Sequence, residues 1–407
     1  MSQTLHDKAL AYHQEGRPGK INVTSHKRLD NDQDLSLAYS PGVAAPVREI
    51  VKDPGAVNKY TIKGNLVAVI TDGSAVLGLG NVGPLAAKPV MEGKAVLFKR
   101  FAGIDVFNIE LDTQDVEEII STIKNIAPTF GGINLEDISA PRCFEIEKRL
   151  IDELDIPVFH DDQHGTAIIV AAGLLNALEI QEKNFKEVKI VCAGAGSAGI
   201  ATLNLLLELG FSKDNILLVD RNGVVSTKSE NLSKEKLAFA VDTDKKTLSD
   251  AIVSSDVFIG VARGNLVTQE MVKSMAKRPI IFALSNPDPE ISPVDVYACR
   301  DDALMATGRS DYPNQVNNVL GFPYIFRGAL DANSKIINTE MKVAAVHALK
   351  NLVKLPASEE LLAIYKDSSL TFGKDYFIPK PFDPRLIEVV PKAIFDAAVA
   401  SGASRQK

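Results

Sequence analysis

Two pairs of carboxylates stand where short apolar segments end. Glu136–Asp137 follow "GGINL" and Asp161–Asp162 follow "IPVFH". Carboxylate oxygens with no cysteine nearby form a hard ligand set, which suits Mg²⁺ or Mn²⁺ and leaves positions for a substrate. His160 and His164 flank the second pair, so zinc stays an alternative. One acidic pair is more often a solvated loop or a helix cap, but two pairs in one chain shift the balance towards a metal site.

A lysine, a tyrosine and three asparagines could act on a substrate held there. Lys94 in "VMEGKAVLF" could serve as a base if burial lowered its pKa, although a surface lysine is the commoner explanation. Tyr39 in "LAYSPGVAAP" starts a loop rich in proline and glycine, where a packed aromatic ring is the simpler explanation. Amides after the later apolar segments could hold a carboxylate or hydroxyl, or merely form turns: Asn286, Asn317 and Asn318.

The pattern G-x-G-x-x-G, typical of dinucleotide-binding loops, occurs in "CAGAGSAG" (192–199) and in "VLGLGNVG" (76–83). The former precedes "IATLNLLLELG", an unbroken run of helix formers whose N-terminus could carry a pyrophosphate. Asp220 closes the next predicted strand, where its carboxylate would accept the adenine ribose hydroxyls. The coenzyme loop is therefore predicted at Gly194, Gly196, Ser197, Ala198 and Gly199.

The earlier copy of the pattern is predicted not to bind a nucleotide. It runs into "PLAAKPVMEG", and a proline beyond the first turn of a helix removes a backbone donor and clashes with the preceding turn. We therefore expect no helix after it. Gly78, Gly80 and Gly83 are expected instead to let the backbone approach another part of the molecule closely.

Short strands must position these groups. From residue 187 apolar strands alternate with helices, which is the pattern of a doubly wound parallel sheet. "LVAVITDG", "GGINL" and "IPVFH" indicate a smaller set before it, and Asp112 or Thr113 would cap the helix in "DTQDVEEIISTIKNIAP". The predicted fold class is α/β, with an N-terminal α/β substrate domain (1–157), a Rossmann-like coenzyme domain (158–390) and a C-terminal tail (391–407). The chain from about residue 341 is expected to be mostly helical and to end in a polar, disordered segment.

The bulk composition is that of an ordinary globular protein. The 407 residues are 45% hydrophobic and 24% charged, and the net charge of -7 disfavours nucleic acid as a partner. Three separated cysteines offer neither a disulfide framework nor a zinc cluster, as expected in a reducing cytoplasm. We see no signal peptide and no apolar run of about 20 residues, so we expect a cytoplasmic protein without a membrane span.

Taken in order, these segments resemble the malic enzyme family in its short bacterial form. The likeness covers roughly residues 20–390 through "AYSPGVAAPV", "TDGSAVLGLGNVGPLAAKPVMEGKAVLFK", "NLEDISAP", "FHDDQHGTA", "GAGSAG", "LSNPDPE" and "NNVLGFP". One such motif would be weak evidence, whereas the full series in order is specific. The resemblance implies a homodimeric, metal-dependent oxidoreductase that converts L-malate to pyruvate and CO₂ while reducing NAD⁺ or NADP⁺.

The resemblance also implies a catalytic set. The ligands of Mg²⁺ or Mn²⁺ would be Glu136, Asp137 and Asp162. The general base would be Lys94 and the general acid Tyr39. The contacts to substrate would be Asn286 and Asn318, with Asn286 also touching the coenzyme and Asp161 beside both metal and coenzyme.

Three alternatives stay open. Large-form members carry an arginine two residues after "TDG" that grips a substrate carboxylate. Here Ser74 and Ala75 follow, so the cation facing that carboxylate is not identified and a malolactic enzyme is disfavoured. Asp220 would repel a 2′-phosphate and favours NAD⁺, although Arg221 could reach that phosphate in NADP⁺. The alternative functions are an oxaloacetate decarboxylase without net redox and a catalytically silent nucleotide-binding regulator.

Overall fold

The computed structural model describes residues 4–405, which form two mainly parallel sheets. The first sheet has the strand order β2-β1-β3-β4 and is built from β1 (Leu66–Thr71), β2 (Asp105–Glu110), β3 (Gly132–Leu135) and β4 (Val158–His160). The helices that precede and cover it are α1 (Leu5–Gln14), α2 (Asp32–Ala38), α3 (Ala44–Lys52), α4 (Val57–Tyr60), α5 (Pro84–Ala102), α6 (Val116–Ile126) and α7 (Arg142–Glu153). Because β4 pairs with β3, the first sheet extends slightly beyond the expected domain boundary at residue 157.

The second sheet has the strand order β10-β9-β8-β5-β6-β7. Its strands are β5 (Ile190–Ala193), β6 (Ile216–Asp220), β7 (Gly223–Val224), β8 (Val257–Gly260), β9 (Ile280–Ala283) and β10 (Leu304–Thr307). Its helices are α8 (Asp161–Ile180), α9 (Ser197–Glu208), α10 (Lys234–Leu237), α11 (Leu248–Ile252), α12 (Gln269–Ser274), α13 (Pro293–Cys299), α14 (Phe322–Asp331), α15 (Thr339–Leu352), α16 (Glu359–Tyr365) and α17 (Leu386–Ala400). Among the strands of residues 4–405, only the edge strand β7 runs antiparallel to its neighbour, so the predicted α/β class with a doubly wound parallel sheet is confirmed.

Helix α8 joins the two sheets. It begins directly after β4 and packs along its length against α9 and α15. One apolar cluster contains Val67 of β1, Phe98 of α5 and Ile168 of α8, so both sheets share a continuous core. The N-terminus of α8 is therefore held in place between the carboxyl ends of two sheets.

The expectation that no helix follows the earlier glycine motif is wrong. Helix α5 begins at Pro84, where the missing N–H would have had no partner within the helix anyway. Pro89 lies inside α5 and removes one backbone hydrogen bond. The buried face of the helix, which includes Met91 and Phe98, outweighs that loss because it packs on the first sheet.

Two further expectations differ from the structure. Asp115, and neither Asp112 nor Thr113, caps α6, because its side chain accepts a hydrogen bond from the Glu118 N–H. The C-terminal tail expected to begin at residue 391 starts inside α17, which packs against α14 and α15. Among the described residues, no helix combines the length and apolar character needed to cross a bilayer.

Candidate active site

The first sheet brings three predicted metal ligands together. Because β3 and β4 are parallel neighbours, the residues that follow them meet at one edge. Glu136, Asp137 and Asp162 can each offer a carboxylate oxygen within 4.8 Å of the others. The Asp137 N–H also donates to Asp162 Oδ2 at 2.7 Å, which fixes the two loops to each other. Burial raises the pKa of Glu136 well above its usual value, against the attraction of Lys94, and Asp162 adds to the rise.

This donor set fits a hard divalent cation. Three carboxylates, two of them buried and Asp162 partly exposed, repel one another, and a cation would offset that repulsion. Neither flanking histidine belongs to the group: His160 is buried with Nδ1 3.8 Å from Asp162 Oδ2, and His164 is directed to Glu147 at 2.8 Å. An oxygen-only set suits Mg²⁺ or Mn²⁺ rather than zinc.

Lys94 lies beside the carboxylate cluster and is not a surface lysine. Its side chain is 10% exposed, and Nζ is 2.8 Å from Glu136 Oε1 and 2.7 Å from Asp161 Oδ2. The Phe322 ring covers the ammonium at 4.3 Å from its centroid. Burial alone would lower the pKa of Lys94, but the carboxylates of Asp161 and Glu136 outweigh burial and raise it.

Asp161 contacts both the Lys94 ammonium and the side-chain amide of Asn318. It is fully buried at the first position of α8, and Asn318 Nδ2 donates to its Oδ2 at 3.1 Å. Thr166 Oγ1 donates to Asn318 Oδ1 at 3.1 Å, which orients the amide. Gly165 leaves room for this arrangement, because a Cβ there would lie 2.0 Å from Asp161 Oδ1.

A cleft of about 810 Å³ opens onto these groups and is called the substrate cleft below. The predicted residues that line it are Lys94, Glu136, Asp137, Asp162, Asn286 and Asn318. Ser197 and Ala198, at the N-terminus of α9, line it as well. The loop predicted to bind the coenzyme therefore opens directly beside the carboxylate cluster.

A second cleft of about 1130 Å³, the adenine cleft, lies on the other side of the same loop. Gly194, Gly196, Asp220 and Arg221 line it, and Ala262 lines both clefts. A dinucleotide could therefore run from Asp220 to the substrate cleft. The tight turn depends on Gly199, since a Cβ there would stand 1.9 Å from the Gly194 carbonyl oxygen.

Asp220 is not a free carboxylate. Lys236 of α10, which sequence reasoning missed, places its Nζ 2.6 Å from Asp220 Oδ2. Arg221, Lys246 and Arg263 line the adenine cleft beside this pair. No motif marks Lys236, which follows Asp220 after a strand and a loop.

Tyr39 does not reach the substrate cleft in this chain. It ends α2 with 71% of its surface exposed, and it is not among the residues that line the cleft. The described parts of α1 to α4 bury no residue at all. The predicted acid is therefore separated from the predicted base and metal ligands.

A buried network behind the carboxylates was also missed. Glu147 of α7 accepts hydrogen bonds from the His160 backbone N–H and the Gln163 amide, each at 3.0 Å, and contacts His164 at 2.8 Å. Burial would raise the pKa of Glu147, but His164 and Lys342 lower it to about 2. These contacts hold the turn on which Asp162 sits.

Comparison with known proteins agrees with this geometry. The family model "Malic enzyme, N-terminal domain" matches residues 18–151, and "Malic enzyme, NAD binding domain" matches residues 163–365. The second model covers the later glycine loop but not the earlier one.

Relatives are similar over the whole chain. An NADP-dependent malic enzyme from Halomonas elongata is 55% identical over 406 residues, covering 100% of this chain and 96% of the relative. A bifunctional malic/malolactic enzyme from Bacillus subtilis is 51% identical, covering 99% of this chain and 95% of the relative. The crystal structure of malic enzyme from Pyrococcus horikoshii superposes with a TM-score of 0.90 at 42% identity, covering 99% and 93% of the two chains.

Other relatives are longer. The chain spans about half the length, 52% to 54%, of several curated proteins that it matches, which are named as NADP-dependent and in one case NAD-dependent malic enzymes. The Bacillus relative, which is similar to this chain over nearly its whole length, is named for both a malic and a malolactic activity.

Proposed function

The chain belongs to the malic enzyme family, and we propose that it oxidises and decarboxylates L-malate to pyruvate and CO₂ with NAD⁺ or NADP⁺ and a divalent metal. One observation carries the proposal. A buried lysine and a three-carboxylate cluster face the same cleft as the N-terminus of the helix that follows the dinucleotide loop. Base, metal ligands and hydride acceptor would thus meet at one small substrate.

Lys94 is the proposed base. Its amine would accept the proton of the C2 hydroxyl, and a bound nicotinamide coenzyme would supply the acceptor for the C2 hydride. For this the amine must be neutral, whereas Asp161 and Glu136 favour its protonated form. A cation beside Glu136 would weaken the hold of that carboxylate on the Lys94 proton.

The carboxylate cluster would hold Mg²⁺ or Mn²⁺ through Glu136, Asp137 and Asp162. Lewis acidity towards the C2 oxygen, and towards the enolate left when the C3–C4 bond breaks and CO₂ departs, is what a divalent cation would supply. Asn286 and Asn318 line the cleft and orient the substrate. Protonation of the enolate at C3 then gives pyruvate.

Tyr39 is the proposed acid for that protonation, supplied by a second copy of the chain. Tyr39 lies in the segment from α1 to α3, which is called the N-terminal arm. Lys20, earlier in this arm, is hydrogen-bonded to Glu92 and Pro89 of α5 in its own chain. Exposed apolar side chains surround Tyr39 on the arm: Leu35, Leu37, Val43, Val47 and Val51. Such an apolar surface suits pairing of two copies into a homodimer. Light scattering should give twice the chain mass of 43.9 kDa.

At the adenine cleft we favour NADP⁺. The carboxylate of Asp220 is neutralised by Lys236 at 2.6 Å, and Arg221, Lys246 and Arg263 add positive charge. A 2′-phosphate would meet cations there rather than a bare carboxylate. The preference for NAD⁺ expected from Asp220 alone is the other outcome of the assay below.

The decisive assay follows reduced-nicotinamide absorbance with L-malate, Mn²⁺ and either coenzyme, while pyruvate and lactate are measured in parallel. We expect pyruvate to match reduced coenzyme, with higher kcat/KM for NADP⁺, and a chelator to abolish both. Reduced coenzyme with oxaloacetate but no pyruvate would remove the decarboxylation step and the acid role of Tyr39.

Three other outcomes favour the alternatives. Decarboxylation of oxaloacetate with no reduction of either coenzyme would make the chain a decarboxylase without net redox. Lactate formed from malate would show the second activity named for the Bacillus relative. Nucleotide binding without any turnover would leave the silent regulator.

A further inference from the structure

The substrate cleft needs a cation that the proposed function has not yet supplied. Malate brings two carboxylates to a site that already contains Glu136, Asp137, Asp161 and Asp162. A divalent cation offsets two of these four protein charges, and Lys94 offsets a third only while it is protonated, which it is not when it acts as the base. A carboxylate of malate therefore needs another positive partner.

Arg142 is not that partner, although it is the arginine beside Ser74. Its guanidinium is bound to the buried Asp72 at 2.8 Å and donates to Ser74 Oγ at 2.9 Å and Ser139 Oγ at 3.0 Å. The charge of Arg142 is thus already neutralised by a carboxylate. Arg142 also does not line the substrate cleft. It braces the loop that follows β1.

Lys20 does line the substrate cleft, together with Lys94 and His13. The ring of His13 is turned to its own helix, with Nδ1 2.7 Å from the Ala9 carbonyl oxygen. Lys20 is held in place at both ends: its backbone N–H donates to Glu92 Oε2 at 2.9 Å, and its Nζ donates to the Pro89 carbonyl oxygen at 2.7 Å.

The Lys20 ammonium lies beside the part of α5 that carries Lys94. A Cβ built on Gly93 would lie 3.5 Å from Nζ, so the ammonium stands beside the residue that precedes Lys94. A lysine ammonium has three donors, and the bond to Pro89 uses one. Two donors are left to face the cleft. Because residue 93 is a glycine, no side chain stands between Lys20 and the cleft at this point.

We propose that Lys20 binds the malate carboxylate that is retained in pyruvate. This inference rests on the proposed function. An ammonium on the departing carboxylate would stabilise a charge that disappears as CO₂ forms, and would slow the reaction. On the retained carboxylate the same contact holds substrate and product alike. Burial lowers the pKa of Lys20 although Glu92 opposes the change, which is typical of an ammonium with too little negative charge around it.

The test uses the full-length protein with Lys20→Met, Lys20→Arg and, as a matched control, Lys27→Met. Lys27 is exposed on the same segment and does not line the cleft. A charge-assisted hydrogen bond predicts that Lys20→Met raises KM for L-malate by about 10- to 100-fold with little change in kcat. The inhibition constant of pyruvate should rise by the same factor. Lys20→Arg should recover most of the loss, and the thermal midpoint should stay that of the wild type.

The outcomes separate the two proposals. A wild-type chain that makes no pyruvate from malate defeats the proposed function before any variant is made. An active wild type with an unchanged KM in Lys20→Met overturns the role of Lys20. A raised KM for malate with an unchanged inhibition constant for pyruvate also overturns it, because Lys20 would then hold the carboxylate that departs.

Discussion

The two glycine loops share a pattern and a setting but face different partners. Each loop follows an interior strand that is also the first strand of its sheet in chain order, β1 or β5. Each loop precedes a long helix, α5 or α9. At the later loop, Gly199 packs on the Gly194 carbonyl and two clefts meet. At the earlier loop, a Cβ on Gly78 would lie 2.6 Å from the backbone carbonyl oxygen of Asn286.

This difference shows what a glycine pattern reports. At Gly78 and Gly199 it reports a close approach of the backbone, and the approaching group is another part of the main chain. Gly80 and Gly83 do not make the close approach expected of them; they supply positive φ angles of 78° and 80° instead. The earlier loop brings the first sheet against the loop that carries Asn286, and so closes the substrate cleft. The later loop leaves space open beside Gly196, where a Cβ would meet nothing within 4 Å. The surroundings of each loop decide its function, not its spacing.

The largest effect should come from the helix after the earlier loop. Lys94→Ala should lower kcat for malate oxidation by about 10²- to 10⁴-fold, because the C2 hydroxyl loses its base. Decarboxylation of added oxaloacetate needs no such base and should change far less. Lys99→Ala, an exposed site on the same helix, is the control. Equal loss of both activities would mean that Lys94 only holds the buried Asp161 and Glu136 together.

A second prediction tests whether the substrate cleft is completed by one chain or needs Tyr39 from a second copy. Tyr39→Phe should lose the protonation step, and Lys94→Ala the oxidation step. If Tyr39 serves the neighbouring copy, mixing the two inactive variants should restore about a quarter of wild-type activity, the statistical share for random exchange in a dimer. Recovery that fails while mixed dimers demonstrably form would place Tyr39 at its own cleft, or outside catalysis.

The structure also shows why part of the site was accessible from sequence and part was not. Glu136, Asp137 and Asp162 follow adjacent parallel strands, and strand ends can be read from local apolar runs. Asp115 was overlooked as a cap because several acidic and hydroxyl residues precede α6 within one turn. The helix after the earlier loop was excluded on its prolines, although Pro84 stands at the one position where a helix favours proline.

Long-range pairings account for the rest. Glu147 carried a usable signal, since it lies within the buried face of α7 that includes Cys143, Ile146 and Leu150. Lys20 and Lys236 carried none, because each meets its partner through loops whose course depends on the whole fold. Tyr39 is exposed in the single chain, so the surroundings that we propose a second copy supplies do not follow from contacts within one chain.

Adding one methyl group to each glycine loop tests directly whether the two loops serve different ligands. Gly78→Ala should push the loop of Asn286 and raise KM for malate by about 10-fold, with little effect on the coenzyme. Gly196→Ala should leave the fold intact but obstruct the pyrophosphate, raising KM for the coenzyme and not for malate. Steady-state kinetics with each substrate varied in turn measures both. If Gly78→Ala affected the coenzyme as strongly as malate, the earlier loop would belong to the nucleotide site after all.

The smallest predicted effect concerns the adenine cleft. Lys236→Ala removes one cation from the expected 2′-phosphate position and leaves Asp220 without its 2.6 Å partner. Both changes disfavour NADP⁺, so the ratio of kcat/KM for NADP⁺ to that for NAD⁺ should fall by about 10-fold. Lys234→Ala, exposed on the same short helix, should leave the ratio unchanged. An unchanged ratio in Lys236→Ala would place the 2′-phosphate away from α10, and Arg221, Lys246 and Arg263 would be the next residues to replace.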